Sequence, residues 1–235
     1  MSNLSNVLWY RFGRTGSMVD MNEALLMDRE ALSLCPAHHP RRYLSLHNLG
    51  VRLWERFKRT GSTTDLEESI SMYRELLSVV PTHHPNRPTS LNNLATALED
   101  HFEMIGSMTG LEEAISLHRE TLSLRPTAHP DRHFSLNNLA TALINHFRQT
   151  GLMTDLQEAI LLHRESLSLR PASHPYRSSS LYSLANALQE HFRKTGSMTD
   201  LEEAILLYRE SGDAVVLMQH LLEFKSITSC NIDLN

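Results

Sequence analysis

Fourteen histidines, four of them in the adjacent pairs His38-His39 and His83-His84, raise the question of a metal site. Zinc needs imidazole nitrogens about 2 Å from one centre. His39, His84, His129 and His174 instead recur once every 45 residues, and helices stacked side by side lie roughly 10 Å apart, so such a ladder does not share an ion. His118 and His163 stand where Tyr73 and Tyr208 stand in other copies, which reads as packing. Serine, histidine and aspartate are plentiful but occupy repeating positions, whereas catalysis needs one asymmetric constellation. No glycine-rich phosphate loop, nucleophile elbow or HExxH motif is present. Neither a catalytic centre nor a metal or cofactor site is expected.

A second chemical signal is the pairing Arg29-Glu30, Arg74-Glu75, Arg119-Glu120, Arg164-Glu165 and Arg209-Glu210. Sequence neighbours point away from each other on a helix, so these charges are read as ion pairs between repeats on a solvated face. Arg42, Arg87, Arg132 and Arg177 follow a His-Pro step and are expected to tie the loop to the preceding carbonyl ends.

The elements that carry these groups are copies of one unit. SLHNLGVRL at Ser45, SLNNLATAL at Ser90 and Ser135, and SLYSLANAL at Ser180 start 45 residues apart, as do Gly16, Gly61, Gly106, Gly151 and Gly196. Phe12, Phe57, Phe102, Phe147 and Phe192 keep the same step. Within one unit Leu136, Leu139, Ala140, Leu143 and Phe147 form an apolar stripe at helical spacing, which defines helix A, with Pro130 in its first turn. Pro88 is tolerated in the same way in the preceding copy. Asp155 is the expected N-cap of a second helix, B, whose stripe is Leu156, Ala159, Ile160, His163 and Leu167, and Pro171 closes it.

A hairpin of two such helices cannot bury its stripe alone. The sequence therefore predicts an all-α solenoid of about five hairpins, with units at 1–39, 40–84, 85–129, 130–174 and 175–210. The first A helix lacks its opening turn, because Met1 aligns with Leu46. The register fails after Glu210, and residues 211–235 fit either a capping helix, with Val216, Leu217 and Leu221 turned inward, or a piece of a longer array. Less covered apolar surface at the terminal copies implies self-association or a missing flanking repeat.

The balance of the chain narrows its partners. At 41% apolar, 21% charged and net −5, it lacks the basic excess that nucleic acid binding needs. Cys35 and Cys230 are too few and too far apart for a disulfide framework. With no leader-like N-terminus and no apolar run of about 18 residues, the expectation is a cytoplasmic protein with no membrane partner.

Leu91-x2-Leu94-Ala95-x2-Leu98, followed by Ala114-x3-His118 and Pro126, resembles the tetratricopeptide signature W-x2-L-G-x2-Y, A-x3-F and a closing proline. Gly50 supplies the small residue in the second copy. The tryptophan is missing, histidine or tyrosine takes the late aromatic position, and the repeat is 45 residues long against about 34. The additions are expected to lengthen helix A by about a turn and to extend two loops. LNNLA after a His-Pro loop also resembles the repeats of kinesin light chains, and the whole unit resembles long fungal arrays, some of which carry a CHAT domain; none is present here.

The resemblance implies a right-handed superhelix whose concave groove is lined by the A-helix face opposite the leucine stripe. Those positions are His47, Asn48, Val51 and Trp54, then Asn92, Asn93, Thr96 and Glu99, then Asn137, Asn138, Thr141 and Ile144, then Tyr182, Ser183, Asn186 and Gln189. Asparagine offers both a donor and an acceptor, so a row of asparagines suits the backbone of an extended peptide. A protein- or peptide-binding scaffold is the leading functional expectation. The alternative is a sensor or oligomerisation arm that packs on another domain of a larger signalling protein.

Overall fold

The computed structural model describes residues 2–212, which are helical except for short connections. Ten helices follow one another: α1 Ser2–Thr15, α2 Met18–Ser33, α3 Arg42–Thr60, α4 Thr63–Val79, α5 Arg87–Ile105, α6 Met108–Ser123, α7 Arg132–Thr150, α8 Met153–Ser168, α9 Arg177–Thr195 and α10 Met198–Ser211. Odd-numbered helices are the A helices and even-numbered ones the B helices. They group into two compact units, Met1–Pro126 with three hairpins and Thr127–Asn235 with two. The expected capping helix lies outside the described residues.

Each hairpin turns on a left-handed glycine, Gly16, Gly61, Gly106, Gly151 or Gly196, with φ between 70° and 74°. At Gly61, Gly106, Gly151 and Gly196 that glycine N–H closes on the phenylalanine carbonyl four residues back. Only two residues separate A from B. The insertion relative to a standard repeat therefore goes into helix, giving full A helices of 19 residues, and does not extend this loop. The other connection is the extended one, such as residues 124–131 between α6 and α7.

Two helix starts differ from expectation. α8 begins at Met153, so Asp155 lies inside its first turn and binds His146 at 2.6 Å instead of capping. In the other copies the cap is a serine: Ser17, Ser62, Ser107 and Ser197 each accept a backbone N–H three residues on. Leu152 holds that place in the fourth copy and makes no cap bond. Pro130 lies before α7 and not in its first turn, whereas Pro88 does occupy the first turn of α5.

The cores form where a B helix meets the A helices on either side. In the first unit Met21 and Leu25 of α2 pack with Leu49 and Leu53 of α3; Tyr73 of α4 packs with Leu94, Ala95 and Ala97 of α5. In the second, Leu156 and Ile160 of α8 pack with Leu184, Ala185 and Leu188 of α9. His118 and His163 are buried as their tyrosine counterparts are.

The charged residues fall into registers. Three arginines of the Arg-Glu pairs cross to a glutamate 39 residues on in the next B helix: Arg29–Glu68 at 2.5 Å, Arg74–Glu113 and Arg164–Glu203 at 2.6 Å. The glutamate does not cross; it closes on the loop arginine 33 residues earlier, as in Arg42–Glu75, Arg87–Glu120, Arg132–Glu165 and Arg177–Glu210. Arg42, Arg87 and Arg177 also donate to carbonyls at the end of the preceding B helix, as expected. A third register joins A to B across the glycine turn: Arg11–Asp20, Arg56–Asp65, His146–Asp155 and His191–Asp200.

The third copy breaks that last register, for His101 faces Gly110, where four copies have aspartate. A Cβ there meets only the Ser107 side chain closely, at 3.3 Å. Gly110→Asp adds helix propensity, a carboxylate in the first turn and a partner for His101, and should stabilise the fold by about 1 kcal/mol. A lowered thermal midpoint in calorimetry would contradict this.

Burial, and secondarily Arg170, pushes His163 down from 6.5 to about 4. The unfolded chain binds this proton near 6.5 while the folded chain refuses it until about 4, so the unfolded state is favoured as pH falls through that window. His163→Tyr, the residue found in the second and fifth copies, removes this linkage. The drop in midpoint between about pH 7 and about pH 5 should shrink in the variant; an unchanged slope would count against it.

Candidate functional site

The outer face of the A helices is built as the stripe dictates: leucines and alanines turn in, and the positions between them turn out. In the first unit, Val51 and Trp54 of α3 meet Asn92, Asn93 and Thr96 of α5 around a cleft of about 210 Å³, with Tyr73 of α4 as its floor. Five of the six lining residues are ones the sequence places in a groove; Tyr73, read there as core, is the sixth. Burial pushes the Tyr73 hydroxyl well above its ordinary value, so it is a neutral phenol, and it is hydrogen-bonded to Asn93.

One end of the cleft is pinned. The Trp54 indole N–H donates to Asp100 Oδ2 at 2.6 Å, and Lys58 Nζ reaches Asp100 Oδ1 at 2.9 Å. Lys58 also lies 5.7 Å from the Trp54 ring centroid, within cation–π range. His47 lines a neighbouring cleft of about 160 Å³ with Tyr43, Leu44, Leu76, Asn86, Thr89 and Ser90, and burial lowers its pKa. Asn48 is half-buried on the same helix.

Glu99 is turned away from this work: it meets the buried His118 Nε2 at 2.6 Å and closes its own hairpin. The equivalent position in the second unit behaves alike. Gln189 is only 7% exposed and its Oε1 accepts from the Tyr208 hydroxyl at 3.1 Å, beside Asn186 Oδ1 at 2.6 Å. Ile144 packs on the core of that unit. Asn137, Asn138 and Ser183 are half-buried, and Thr141 is exposed with its hydroxyl bonded back to the Asn137 carbonyl at 3.0 Å. Tyr182 is partly exposed and stands edge-on to Tyr208 at 5.9 Å.

The loop histidines have a structural task. Nδ1 of His39, His84, His129 and His174 accepts the backbone N–H two residues on, at 3.1–3.2 Å, which shapes each proline loop. Among the described residues no group of three histidine, cysteine, aspartate or glutamate side chains is placed to hold a metal. Asp100 and Lys58 went unnoticed in sequence because neither recurs at its position; their signal is that very departure, 46 and 4 residues from Trp54.

Hairpins stacked on nearest neighbours, each with one outward A-helix face, define a repeat protein of the α-solenoid class. The tetratricopeptide repeat family matches residues 44–86, 89–131, 135–176 and 177–211, well over half of the chain, and the chain belongs to that family. A search of curated proteins returns no match. Among solved structures, the nearly identical TPR-like repeats of a kinesin light chain-like protein from Podosopora anserina are 20% identical, with 90% of this chain and 96% of that one covered and a TM-score of 0.62. MamA is 13% identical over 91% and 95% of the two chains with a TM-score of 0.56. These likenesses concern the fold. No described helix is long and apolar enough to cross a membrane.

Asp100→Ala frees the Trp54 indole. In a Trp9→Phe background the fluorescence of Trp54 should shift to the red, with a stability loss of about 1–2 kcal/mol; an unmoved emission maximum would show that Asp100 does not hold the ring.

Proposed function

We propose that this protein is a binding scaffold that takes an extended segment of another protein along its A-helix faces, and that it acts by binding and not by catalysis. The observation that carries this reading is the cleft between α3 and α5. Its walls alternate an apolar side, Val51 and Trp54, with a hydrogen-bonding side, Asn92, Asn93 and Thr96. Such a cleft suits one apolar side chain of a peptide while the amides meet the backbone beside it. The α7 and α9 faces offer a second stretch with Asn137, Asn138, Tyr182 and Ser183. Glu99 and Gln189 support the B helices beneath and make no ligand contact in this scheme.

The test is a peptide library panned on the purified chain, followed by fluorescence anisotropy with the selected sequences. Replacing Asn92 and Asn93 together with Ala should weaken all selected peptides alike, by roughly fivefold to a hundredfold, since backbone atoms are common to every sequence. Thr96→Trp, on a half-exposed position, fills the cleft and should abolish binding without unfolding the chain. If peptides selected on the wild type bind both variants unchanged, the cleft is not the site.

A further inference from the structure

The third and fourth copies both bury a histidine where the second and fifth have tyrosine, but they surround it differently. His118 and His163 are each fully enclosed, and each keeps a buried Nδ1 with no partner. The difference lies on the other side of the ring. Against His118 Nε2 stands the Glu99 carboxylate, 2.6 Å away and 19 residues earlier. Nineteen residues before His163 the same position is Ile144, which packs on the apolar core of the second unit. A proton added to His118 meets a carboxylate, whereas one added to His163 meets hydrocarbon.

A second charge lies nearby. His163, Ser166 and Arg170 follow one another on one face at the end of α8, all buried, and Ser166 Oγ donates to the His133 carbonyl of α7 at 2.9 Å. Arg170 stands where the first two copies have Cys35 and Val80. It is only 3% exposed. Its Nη1 donates to the Tyr176 carbonyl at 3.0 Å and to Ser180 Oγ, and its Nε has no partner. Among the described residues no carboxylate pairs with Arg170 or His163. The titratable groups that face this cluster are Asp131 and His133 at the start of α7, and His174 and Tyr176 in the loop before α9. His133 is itself buried, with an unpartnered Nε2 and its ring 5.1 Å from that of His174. Burial, then Arg170 and His174, lower its pKa, while the Pro130 carbonyl and Asp131 act the other way.

We propose that the seam of α7, α8 and α9 is an acid-sensitive joint: protonation of its buried imidazoles beside Arg170 opens the second unit, while the first unit, whose buried histidine faces Glu99, stays closed. Like charges enclosed together without a counter-ion repel, and neither is hydrated until the seam opens. His163 takes its proton near 6.5 once exposed but only at about 4 while buried, so opening gains favour as pH falls through that window. Between about pH 7 and about pH 5 the open fraction should rise roughly twentyfold from His163 alone. His133 acts in the same direction. This inference concerns the fold and is independent of the peptide cleft.

Hydrogen exchange of the full chain, read by mass spectrometry at about pH 7 and about pH 5 and corrected for the intrinsic rate, tests it. Segments from α8 and α9 should lose protection roughly twentyfold on acidification, and those from α4 and α5 much less. Ile144→Glu sets against His163 the carboxylate that Glu99 sets against His118, and should remove most of the loss. Ile144→Gln fills the same space without the charge and should leave the loss in place. Glutamate and glutamine are the residues of this position in the third and fifth copies, as Glu99 and Gln189, so both fit the seam. Protection in α8 and α9 that does not change with pH, or an equal loss in both units, would overturn the proposal. So would an Ile144→Glu chain as acid-sensitive as the wild type, or an Ile144→Gln chain as resistant as Ile144→Glu.

Discussion

A helical hairpin in this chain buries its apolar stripe only against another hairpin, and that dependence sets nearly everything else. Burying a leucine such as Leu49 or Leu94 contributes about 1.5–3 kcal/mol, while a half-exposed pair such as Arg74–Glu113 contributes roughly 0–1 kcal/mol. Apolar burial therefore holds neighbours together, and the charges decide how they are phased. One inserted residue would turn a helix by about 100° and carry its leucines off the seam, which is why 45 residues are kept from copy to copy and why the ion pairs fall at fixed offsets of 39, 33 and 9.

This dependence also explains what could be read in one dimension. A stripe repeated in phase identifies both helices and their stacking partners without any distance being known. The helix starts at Met153 and Arg132 are harder, because serine, aspartate and proline near an N-terminus fit several frames; Asp155 looks like a cap until His146 is seen to hold it. The outer face was legible as a set of polar positions but not as a cleft. Val51 and Trp54, Asn92 and Thr96, and Tyr73 come from three helices, and only their packing makes a space. Glu99 and Gln189 lie at the edge of that face, where a side chain can turn outward or down onto the B helix. His118 and Tyr208 draw them down, since a buried imidazole or phenol needs a hydrogen-bond partner more than a solvated carboxylate or amide does.

In a nearly uniform array, individuality resides in the few positions that leave the pattern. Asp100, which holds Trp54, gives the cleft between α3 and α5 its pinned end. Gly110 leaves His101 without the carboxylate its counterparts have. Each departure is local, because a repeat contacts only its neighbours, so a site can be altered in one copy without disturbing the rest of its unit.

The most consequential departure is buried. In the second junction a large ring, Tyr73, shares an apolar cluster with a small residue, Ala97; in the first junction the sizes are exchanged, with Asp28 on α2 and Arg52 on α3, joined with Ser5 and Asn6. Burial lowers the pKa of Arg52 while Asp28 raises it, so Asp28 offsets the desolvation of a guanidinium that stays charged. Breaking such a pair costs about 3–5 kcal/mol, more than any surface rung. Were α2 to stack on α5, Asp28 would face Ala97 with its carboxylate unpaired; were α4 to stack on α3, Tyr73 would meet the Arg52 guanidinium without a counter-ion. The apolar stripes, being alike, would tolerate either error, and the charge pair does not. Hairpin order at this junction thus rests on the one interaction that the repeat pattern does not supply.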